Sequence, residues 1–297
     1  MRVLILGGSG MLGHKLWQTL APSFDTYATV RRAPEAYSRF GIFDEARVVG
    51  GVSAENFETI ERAFATVRPE AVVNCIGIVK QDAAATNPIA SITVNALFPH
   101  QLAQACGEIG ARLIHLSTDC VFSGAKGNYS ESAAPDAQDL YGRTKLLGEV
   151  GDRENCLTLR TSMIGRELQG AHGLVEWFLS QRGKTVRGFK RAVFSGFTTT
   201  ALAGVIGDLV ANHPELSGVW HVAAEPINKF DLLVLVQKAL ALDIEIEPDE
   251  NFFCDRSLDG TRFRAATEFA PQPWPEMIDR MAQDTTPYDE IRRNDAG

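Results

Sequence analysis

The chain has 297 residues, of which 45% are apolar and 22% are charged, as in an ordinary globular protein with ample residues for a core. The formal net charge of −8 at pH 7 argues against a general nucleic-acid or anionic-membrane binder. No apolar run approaches the roughly 20 residues of a membrane span, and the first residues lack the organisation of a signal peptide. We therefore expect a cytoplasmic protein without nucleic-acid or membrane partners.

The cysteines and histidines predict neither a disulfide framework nor a metal site. The five cysteines are odd in number and scattered, and no two of them form a C-x-x-C pair. This pattern is typical of reduced thiols in the cytosol. The six histidines show neither H-x3-H nor H-E-x-x-H spacing, so we expect no metal ligands.

A glycine-rich turn follows the first predicted strand. The apolar run at residues 2–6 leads directly into Gly7-Gly8-Ser9-Gly10-Met11-Leu12-Gly13, and a helical pattern then extends to Leu20. This spacing is a close variant of the dinucleotide fingerprint, in which glycines allow the backbone to approach a pyrophosphate at a helix N-terminus. A purely structural turn is the alternative. The predicted cofactor contacts are Gly7, Gly10, Met11, Leu12 and Gly13.

The second predicted strand, at residues 26–30, ends in two arginines. A site for NAD usually has an acidic residue at this point, about 20 residues past the glycines, to hold the ribose 2′-hydroxyl. Arg31 and Arg32 would instead grip a 2′-phosphate. Two solvated surface arginines are the alternative. The pattern favours NADPH/NADP as the cofactor.

A fourth buried strand is predicted at residues 71–77, after a strand at 48–52 and a helix at 54–67. Its last residue is a glycine, which permits the nicotinamide end of a cofactor to lie against the backbone. We therefore assign Cys75, Ile76 and Gly77 to the cofactor site.

A long helix is predicted at residues 88–109, with a bend near Pro99 because proline removes a hydrogen-bond donor from the helix. Asn95 lies within this helix. It either braces the floor of the active site or is a surface residue.

Residues suited to proton transfer to a carbonyl group lie between positions 117 and 149. Residues 112–116 form a predicted buried strand, and ligands of an open parallel sheet bind just beyond the carboxyl ends of its strands. Thr118 lies at that point. Tyr141 and Lys145 are four residues apart on one helix face, where a fixed ammonium favours the phenolate. The same spacing also occurs by chance on many helices. We predict Thr118, Tyr141 and Lys145 as the catalytic residues.

Strands and helices alternate as far as a strand at residues 156–162, which predicts an α/β fold with a doubly wound parallel sheet. Beyond Gly165 this rhythm breaks. The later predicted elements are helices at 173–181, 201–213 and 230–242 and a strand at 219–222. Residues 248–274 are poor in periodicity and could cap a cleft, and the residues past Thr285 look frayed.

Together these motifs resemble the extended short-chain dehydrogenase/reductases, and most closely the dTDP-4-dehydrorhamnose reductase branch. The resemblance rests on the glycine turn and on residues 74–77, 117–124 and 141–149, with support from 160–162 and 195–199. It implies a Rossmann-type domain followed by a smaller C-terminal substrate-binding lobe. We assign residues 1–165 and 197–224 to the NADP-binding domain, and residues 166–196 and 225–297 to the lobe.

The resemblance also implies NADPH-dependent reduction of the 4-keto group of a nucleotide-linked deoxysugar, with a role in polysaccharide biosynthesis. Thr118 would polarise the carbonyl and Tyr141 would protonate it, while Lys145 would hold the nicotinamide ribose, so that Tyr141 and Lys145 also contact the cofactor. Arg256 is suggested for the diphosphate, with a salt bridge in the lobe as the alternative. The expected substrate contacts are Thr118, Ser162, Thr198, Thr199 and Arg256.

Two departures from the branch leave the exact sugar open. Cys120 stands where an aromatic residue is usual, and Ser123 replaces a common aspartate. Dehydratases of the superfamily carry a glutamate at the position of Cys120, which argues against elimination. The nucleotide base and the stereochemistry of reduction are open as well.

Two other functions are alternatives. A nucleotide-sugar epimerase with a retained cofactor uses the same triad, although epimerases usually retain NAD and the arginine pair points away from NAD. The second alternative is a non-catalytic NADP-binding subunit, because the branch resembles the regulatory subunit of methionine adenosyltransferase. The family's homodimer packs helices near Asn95 and Tyr141, but apolar faces there could equally face the sheet.

Overall fold

The computed structural model of the chain describes residues 1–293, and its strands form mostly at short apolar runs. In chain order the strands are β1 (Arg2–Leu6), β2 (Asp25–Thr29), β3 (Val48–Val49), β4 (Ala71–Asn74), β5 (Arg112–Leu116), β6 (Cys156–Arg160), β7 (Met163–Ile164), β8 (Thr185–Phe194), β9 (Phe197–Thr198), β10 (Gly218–His221), β11 (Ile227–Asn228) and β12 (Glu245–Asp255).

The helices lie between these strands and at the C-terminal end. In chain order they are α1 (Gly13–Leu20), α2 (Glu58–Val67), α3 (Pro88–Ser91), α4 (Phe98–Glu108), α5 (Leu140–Leu147), α6 (Leu174–Leu179), α7 (Thr199–Asn212), α8 (Lys229–Ala239), α9 (Thr261–Thr267), α10 (Trp274–Ala282) and α11 (Tyr288–Arg293). Within residues 1–293, none of the helices combines the length and the apolar character needed to cross a bilayer.

The main sheet has seven strands in the order β10-β6-β5-β4-β1-β2-β3, and every neighbouring pair is parallel. The chain moves outward in one direction from β1 to β3, and then in the other direction from β4 to β10. This reversal between β1 and β4 is the switch point at which open α/β sheets bind ligands. The predicted α/β fold with a doubly wound, Rossmann-type sheet is therefore confirmed.

Helices cover both faces of this sheet because its strands are buried on both sides. Val3 and Ile5 of β1 belong to a core cluster with side chains of α1 and α7. Leu4 and Leu6 belong to a second cluster, with side chains of α2 and α4. Alternate residues of one strand thus face opposite layers, as the two-residue period of a strand requires.

Most predicted elements of the main domain exist, with boundaries shifted by a few residues. Strands β2, β3, β4 and β6 end one to three residues before the predicted ends. In β4 the cause is local, because the Asn74 side chain accepts the backbone N–H of Ile76 at 3.0 Å and turns the chain away from the sheet. Helix α2 begins at Glu58, four residues after the predicted start.

A second sheet was missed by the sequence analysis. It has three strands in the order β11-β8-β12, of which β8 and β12 pair in parallel over most of their length. Residues 248–274 are therefore not irregular, since they include the end of β12, all of α9 and the start of α10. Strand β8 was missed because charged residues, Arg187, Lys190 and Arg191, lie between its buried positions. The proposed domain boundaries stay a prediction.

Two expectations about helices are corrected. The bend expected near Pro99 is instead a π-helical segment, Ile92–Leu97, that joins α3 to α4. Pro99 has no N–H to offer to the carbonyl of Asn95, four residues earlier. The end expected to fray contains α11, whose Tyr288 and Ile291 are buried.

Helix α5 lies in backbone contact with two neighbouring segments. A Cβ added at Gly142 would lie 2.3 Å from the carbonyl oxygen of Cys120. A Cβ added at Gly148, just past the end of the helix, would lie 2.0 Å from the carbonyl oxygen of Asn95. Both distances are far below van der Waals contact, so only glycine permits this approach.

We predict that Gly148→Ala lowers the free energy of unfolding by about 1–3 kcal/mol, because the new methyl group meets a backbone atom that cannot move aside. Gly204→Ala is the control, since it lies in α7 with nothing within 4 Å of the added Cβ. It should raise stability by roughly 0.5–1 kcal/mol through helix propensity. Urea denaturation measures both changes. A Gly148→Ala protein with an unchanged free energy of unfolding would contradict the close contact.

Candidate active site

The glycine turn between β1 and α1 is built for close backbone approach. Gly7 has a φ of +81°, a conformation that favours glycine, and its carbonyl accepts the N–H of Gly10 at 3.0 Å. A Cβ added at Gly13 would lie 2.1 Å from the Gly7 carbonyl oxygen, so the start of α1 rests directly on the turn. The third glycine therefore serves helix–strand packing.

A cleft of about 330 Å³ opens at the carboxyl ends of β1, β2 and β4. The predicted cofactor residues that line it are Gly7, Gly10, Arg31, Arg32, Cys75, Ile76 and Gly77. Both arginine side chains are exposed. Three glycines in the lining of the cleft, with two guanidinium groups beside them, fit a dinucleotide that carries a 2′-phosphate.

Five predicted cofactor residues are not among those that line this cleft, namely Met11, Leu12, Gly13, Tyr141 and Lys145. Leu12 is buried in the core, and Met11 reaches toward Gly173, where an added Cβ would lie 3.5 Å from its Sδ. Tyr37 and Gln169 do line the cleft and were missed. Tyr37 accepts the backbone N–H of Arg32 at 3.4 Å, a contact that sequence spacing alone does not reveal.

Asn95 braces the floor beside this cleft. Its side-chain amide accepts the N–H of Ile78 and donates to the carbonyl of Ile78, both at 2.9 Å. The residue is only 1% exposed. The alternative of a surface asparagine is therefore wrong, and the π-helical segment carries a side chain that fixes the backbone just after Gly77.

Thr118 lies just past the end of β5 with its hydroxyl held in place. The oxygen accepts the N–H of Cys120 at 3.1 Å and donates to the Asp119 carboxylate at 3.2 Å. The second bond is long, so a better acceptor could replace it. Burial raises the pKa of the Asp119 carboxyl, while Arg256 and Lys229 act in the opposite direction.

Lys145 belongs to α5 and is buried, and its ammonium donates to the carbonyl of Leu116 at 2.6 Å. Burial lowers the pKa of this ammonium to about 8, and the nearby Glu149 and Cys75 act in the opposite direction. Since Cys75 lines the cleft, Lys145 lies next to the far end of the same cleft.

Tyr141 is half-buried on α5, one turn before Lys145. Burial raises the pKa of its phenol well above the ordinary value, and the nearby Cys120 adds to the rise. A hydrogen-bonding contribution from Thr118 acts in the opposite direction. The expected shift toward the phenolate is not seen in this structure, because burial outweighs the groups that lower this pKa. The phenol keeps its proton at neutral pH, which suits a proton donor.

A buried ion pair fixes the end of α5 to the sheet. Glu149 accepts from Arg160 through two bonds, at 2.8 and 2.7 Å, and both side chains are less than 10% exposed. Ser117 also donates to Glu149, at 2.6 Å. The motif residues Ser117, Glu149 and Arg160 thus meet at one point, which the sequence analysis did not foresee.

Arg256 lies near Asp119 and Cys120, just past the end of β12. Its Nε donates to the carbonyl of Phe122 at 2.9 Å, rather than to a carboxylate of the lobe. Lys229, at the start of α8, was missed by the sequence analysis. Burial lowers its pKa to about 8 and Asp119 opposes this, so the two cations flank Asp119.

The remaining predicted substrate residues differ in how far they are exposed. Thr198 and Thr199 are buried, at 0% and 1% exposure, and the Thr198 hydroxyl caps α7 through the N–H of Ala201. This placement leaves neither side chain free to meet a sugar, so we reassign both to structure. Ser162 is half-exposed at the end of the sheet, and its carbonyl accepts the N–H of Phe197 at 3.0 Å.

The doubly wound sheet, the glycine turn and the Tyr-x3-Lys helix are those of an extended short-chain dehydrogenase/reductase. A family model described as the RmlD substrate binding domain matches residues 1–286. The chain belongs to that family.

Individual proteins agree with this assignment. The chain is 28% identical to the dTDP-4-dehydrorhamnose reductase of Salmonella typhimurium over 231 residues, which is 75% of this chain and 73% of that protein. It is 31% identical to methionine adenosyltransferase 2 subunit beta of Mus musculus over 160 residues, covering 52% and 44%. A solved structure of a hypothetical dTDP-4-dehydrorhamnose reductase from Sulfolobus tokodaii aligns with a TM-score of 0.75 at 26% identity, covering 92% of this chain and 98% of that one.

The depressed pKa of Lys145 predicts a pH-dependent cost to stability. Below pH 8 the ammonium is charged in both states, so folding must bury a charge. Between pH 8 and the unfolded value of about 10.4 only the unfolded chain keeps that proton, so stability rises with pH. Lys145→Met removes this contribution. Between pH 8 and 10 we therefore expect the unchanged protein to gain on the order of 2 kcal/mol relative to Lys145→Met.

Urea unfolding of both proteins at a series of pH values measures this difference. Lys184→Met, at an exposed position, is the matched control. If the difference in the free energy of unfolding between the unchanged protein and Lys145→Met does not vary with pH, the buried ammonium is contradicted.

Proposed function

We propose that this protein reduces the 4-keto group of a nucleotide-linked deoxysugar with NADPH. The observation that carries the proposal is the placement of a protonated phenol, Tyr141, beside Thr118 at the same sheet edge as a dinucleotide cleft. Reduction of a ketone needs one group that gives a proton to the oxygen, and the phenol of Tyr141 carries a proton at neutral pH. Membership of the RmlD substrate binding domain family supports the substrate class.

The chain's own residues then have separable tasks. Bound NADPH would supply the hydride. Thr118 would exchange its long bond to Asp119 for one to the ketone oxygen, which polarises the carbonyl. Tyr141 would give its proton to the same oxygen. Lys145, charged at neutral pH and next to Cys75, would hold the nicotinamide ribose and restore the proton of Tyr141.

Arg31 and Arg32 would select the cofactor. Both are exposed at the cleft, and the turn that holds them has no acidic side chain to accept a ribose 2′-hydroxyl. The backbone N–H of Arg32 is held by Tyr37, which limits the directions that this arginine can take. These features favour a 2′-phosphate.

Arg256 and Lys229 would bind the diphosphate of the sugar nucleotide. Both come from the C-terminal part of the chain and lie near Asp119. With Asp119 between them, the two cations keep a net positive charge that an anionic substrate can use. Ser162 remains the third candidate for substrate contact.

A non-catalytic subunit is the second candidate, favoured by the similarity to methionine adenosyltransferase 2 subunit beta. The epimerase alternative lacks support at the ribose, where the arginines stand in place of an acid. Net consumption of NADPH with a 4-keto nucleotide sugar separates the proposed reductase from both alternatives.

A homodimer is a further proposal. The exposed apolar side chains of the α3 to α5 region, Ile89, Ile92, Leu97 and Leu147, are from 48% to 78% exposed. A second copy could cover them, since large exposed apolar residues that cluster often mark interfaces. The cytoplasmic location expected from the sequence stays a prediction.

The central test is NADPH turnover with a panel of 4-keto nucleotide sugars, for the unchanged protein and for Tyr141→Phe. The substitution keeps the ring and removes the proton donor, so kcat should fall about 10²–10⁴-fold with the Kd for NADPH nearly unchanged. Tyr27→Phe, which changes a tyrosine of β2 outside the cleft, should retain full activity. Near-normal turnover by Tyr141→Phe would refute the mechanism, and no turnover by the unchanged protein would favour the non-catalytic subunit.

Arg31→Ala should lower the preference for NADPH over NADH. A charge-assisted hydrogen bond contributes roughly 1.5–3 kcal/mol, so we expect about a 10- to 150-fold loss in kcat/KM for NADPH. The value for NADH should hardly change, because NADH has no phosphate to lose. The exposed Arg182→Ala is the control. If the unchanged protein uses both cofactors equally well, the arginines do not select the cofactor.

A further inference from the structure

The C-terminal segment of the chain is tied to the glycine turn through His14. The Nδ1 of His14 lies 2.9 Å from the carbonyl oxygen of Gly10, and its Nε2 lies 2.9 Å from the hydroxyl of Tyr288. That hydroxyl also lies 2.6 Å from the Asp284 carboxylate, and Asp284 forms an ion pair with Lys15. His14 and Lys15 are both buried, so these contacts are shielded from water.

The same segment is also tied to the opposite wall of the cleft. Arg292 donates to the carbonyl of Glu167 and to the carboxylate of Glu176. Arg166 holds the other side of Glu176 at 2.7 Å, with its guanidinium 4.6 Å from the ring centre of Tyr288. The chain between these anchors includes Gln169, which lines the cleft.

Apolar contacts continue this connection beneath the cleft. Tyr288 and Ile291 are each 2% exposed and form one cluster with Val30, Tyr37 and Leu168. Val30 and Tyr37 themselves line the cleft, next to the two arginines. Residues 284–292 therefore pack against residues that line the end of the cleft where a 2′-phosphate would lie.

We propose that residues 284–292, the C-terminal clasp, preorganise the cleft for a dinucleotide, with His14 and Tyr288 as positioning residues. The proposal rests on the proposed function in taking a dinucleotide as the ligand. A carbonyl oxygen only accepts hydrogen bonds, so Nδ1 of His14 carries the proton that it shares with Gly10. Burial lowers the pKa of His14 to about 4, so its Nε2 is an acceptor, and the single proton of the Tyr288 hydroxyl is shared between Nε2 and Asp284. The Gly10 carbonyl also accepts the backbone N–H of His14, at 3.2 Å.

Two donors on one carbonyl fix the plane of the peptide that joins Gly10 to Met11. In a trans peptide the N–H points away from the C=O, so the N–H of Met11 points out of the start of α1. This is the direction in which a helix N-terminus meets a pyrophosphate. Met11 was predicted to bind the cofactor, and its backbone, rather than its side chain, would do so.

The test compares the affinity for NADPH of variants of the full chain, measured by the fluorescence of the bound nucleotide. Tyr288→Phe keeps the ring and its packing but releases His14. We expect the Kd for NADPH to rise roughly 5- to 10-fold, as the loss of a buried hydrogen bond implies. The KM for NADPH should rise with it, while kcat and the KM for the sugar nucleotide stay unchanged.

Two further variants separate positioning from general stability. Ile278→Val removes a methyl group from the core at α10, outside the clasp, so it should lower the thermal midpoint and leave the Kd alone. His14→Ala should raise the Kd at least as much as Tyr288→Phe. Adding Tyr288→Phe to His14→Ala should then change nothing, because Tyr288 acts through His14.

The outcomes are distinct. A Kd that follows thermal stability across all variants, or full additivity in the double variant, would overturn the clasp and leave the proposed function standing. An unchanged Kd for NADPH in Tyr288→Phe would also overturn the clasp and leave the proposed function standing. If the unchanged protein binds no NADPH, the proposed function fails and the clasp fails with it.

Discussion

The arrangement of the site depends on one steric constraint, the backbone contact that α5 makes at both of its ends. At Gly142 the helix meets the carbonyl of Cys120, and at Gly148 the chain meets the carbonyl of Asn95. Tyr141 and Lys145 lie between these contacts, so their distance from Thr118 is set by backbone atoms. The Glu149–Arg160 ion pair then locks the C-terminal end of the helix to the sheet. A proton donor placed in this way has little freedom to lose when a substrate binds.

The same site carries charges that stability alone would not retain. Lys145 and Lys229 both have a depressed pKa because they are buried, and Asp119 has a raised one for the same reason. Titratable groups shifted by burial cluster at functional sites, since taking a charge out of water costs free energy that only activity repays. Asp119 raises the pKa of Lys229 and Lys229 lowers the pKa of Asp119, so each group opposes the effect of burial on the other. An anionic ligand would change this balance directly.

The sequence predicted the parts of the fold that local patterns determine. The glycine turn, the arginine pair and the Tyr-x3-Lys helix each depend on spacing within one segment, and the alternation of strands and helices determines the main sheet. The missed features depend on contacts between distant segments. Strand β8 is stabilised by β12, about 60 residues away, and α11 is ordered by Tyr288 reaching His14, 274 positions earlier. Lys229 comes to the site only through the fold of the second sheet. Thr198 caps α7, and sequence alone does not show which polar residues cap a helix.

The most direct measurement of the central claim is the mass of the product formed from a 4-keto nucleotide sugar and NADPH deuterated at both positions of nicotinamide C4. If the chain places a proton donor and a dinucleotide on either side of a ketone, the sugar must gain one deuteride from the cofactor on C4 and one proton on oxygen. The account predicts a reduced sugar with a single deuterium at C4 and an equal amount of NADP⁺. A product with the mass of its substrate, or a reduced product without the label, would contradict it.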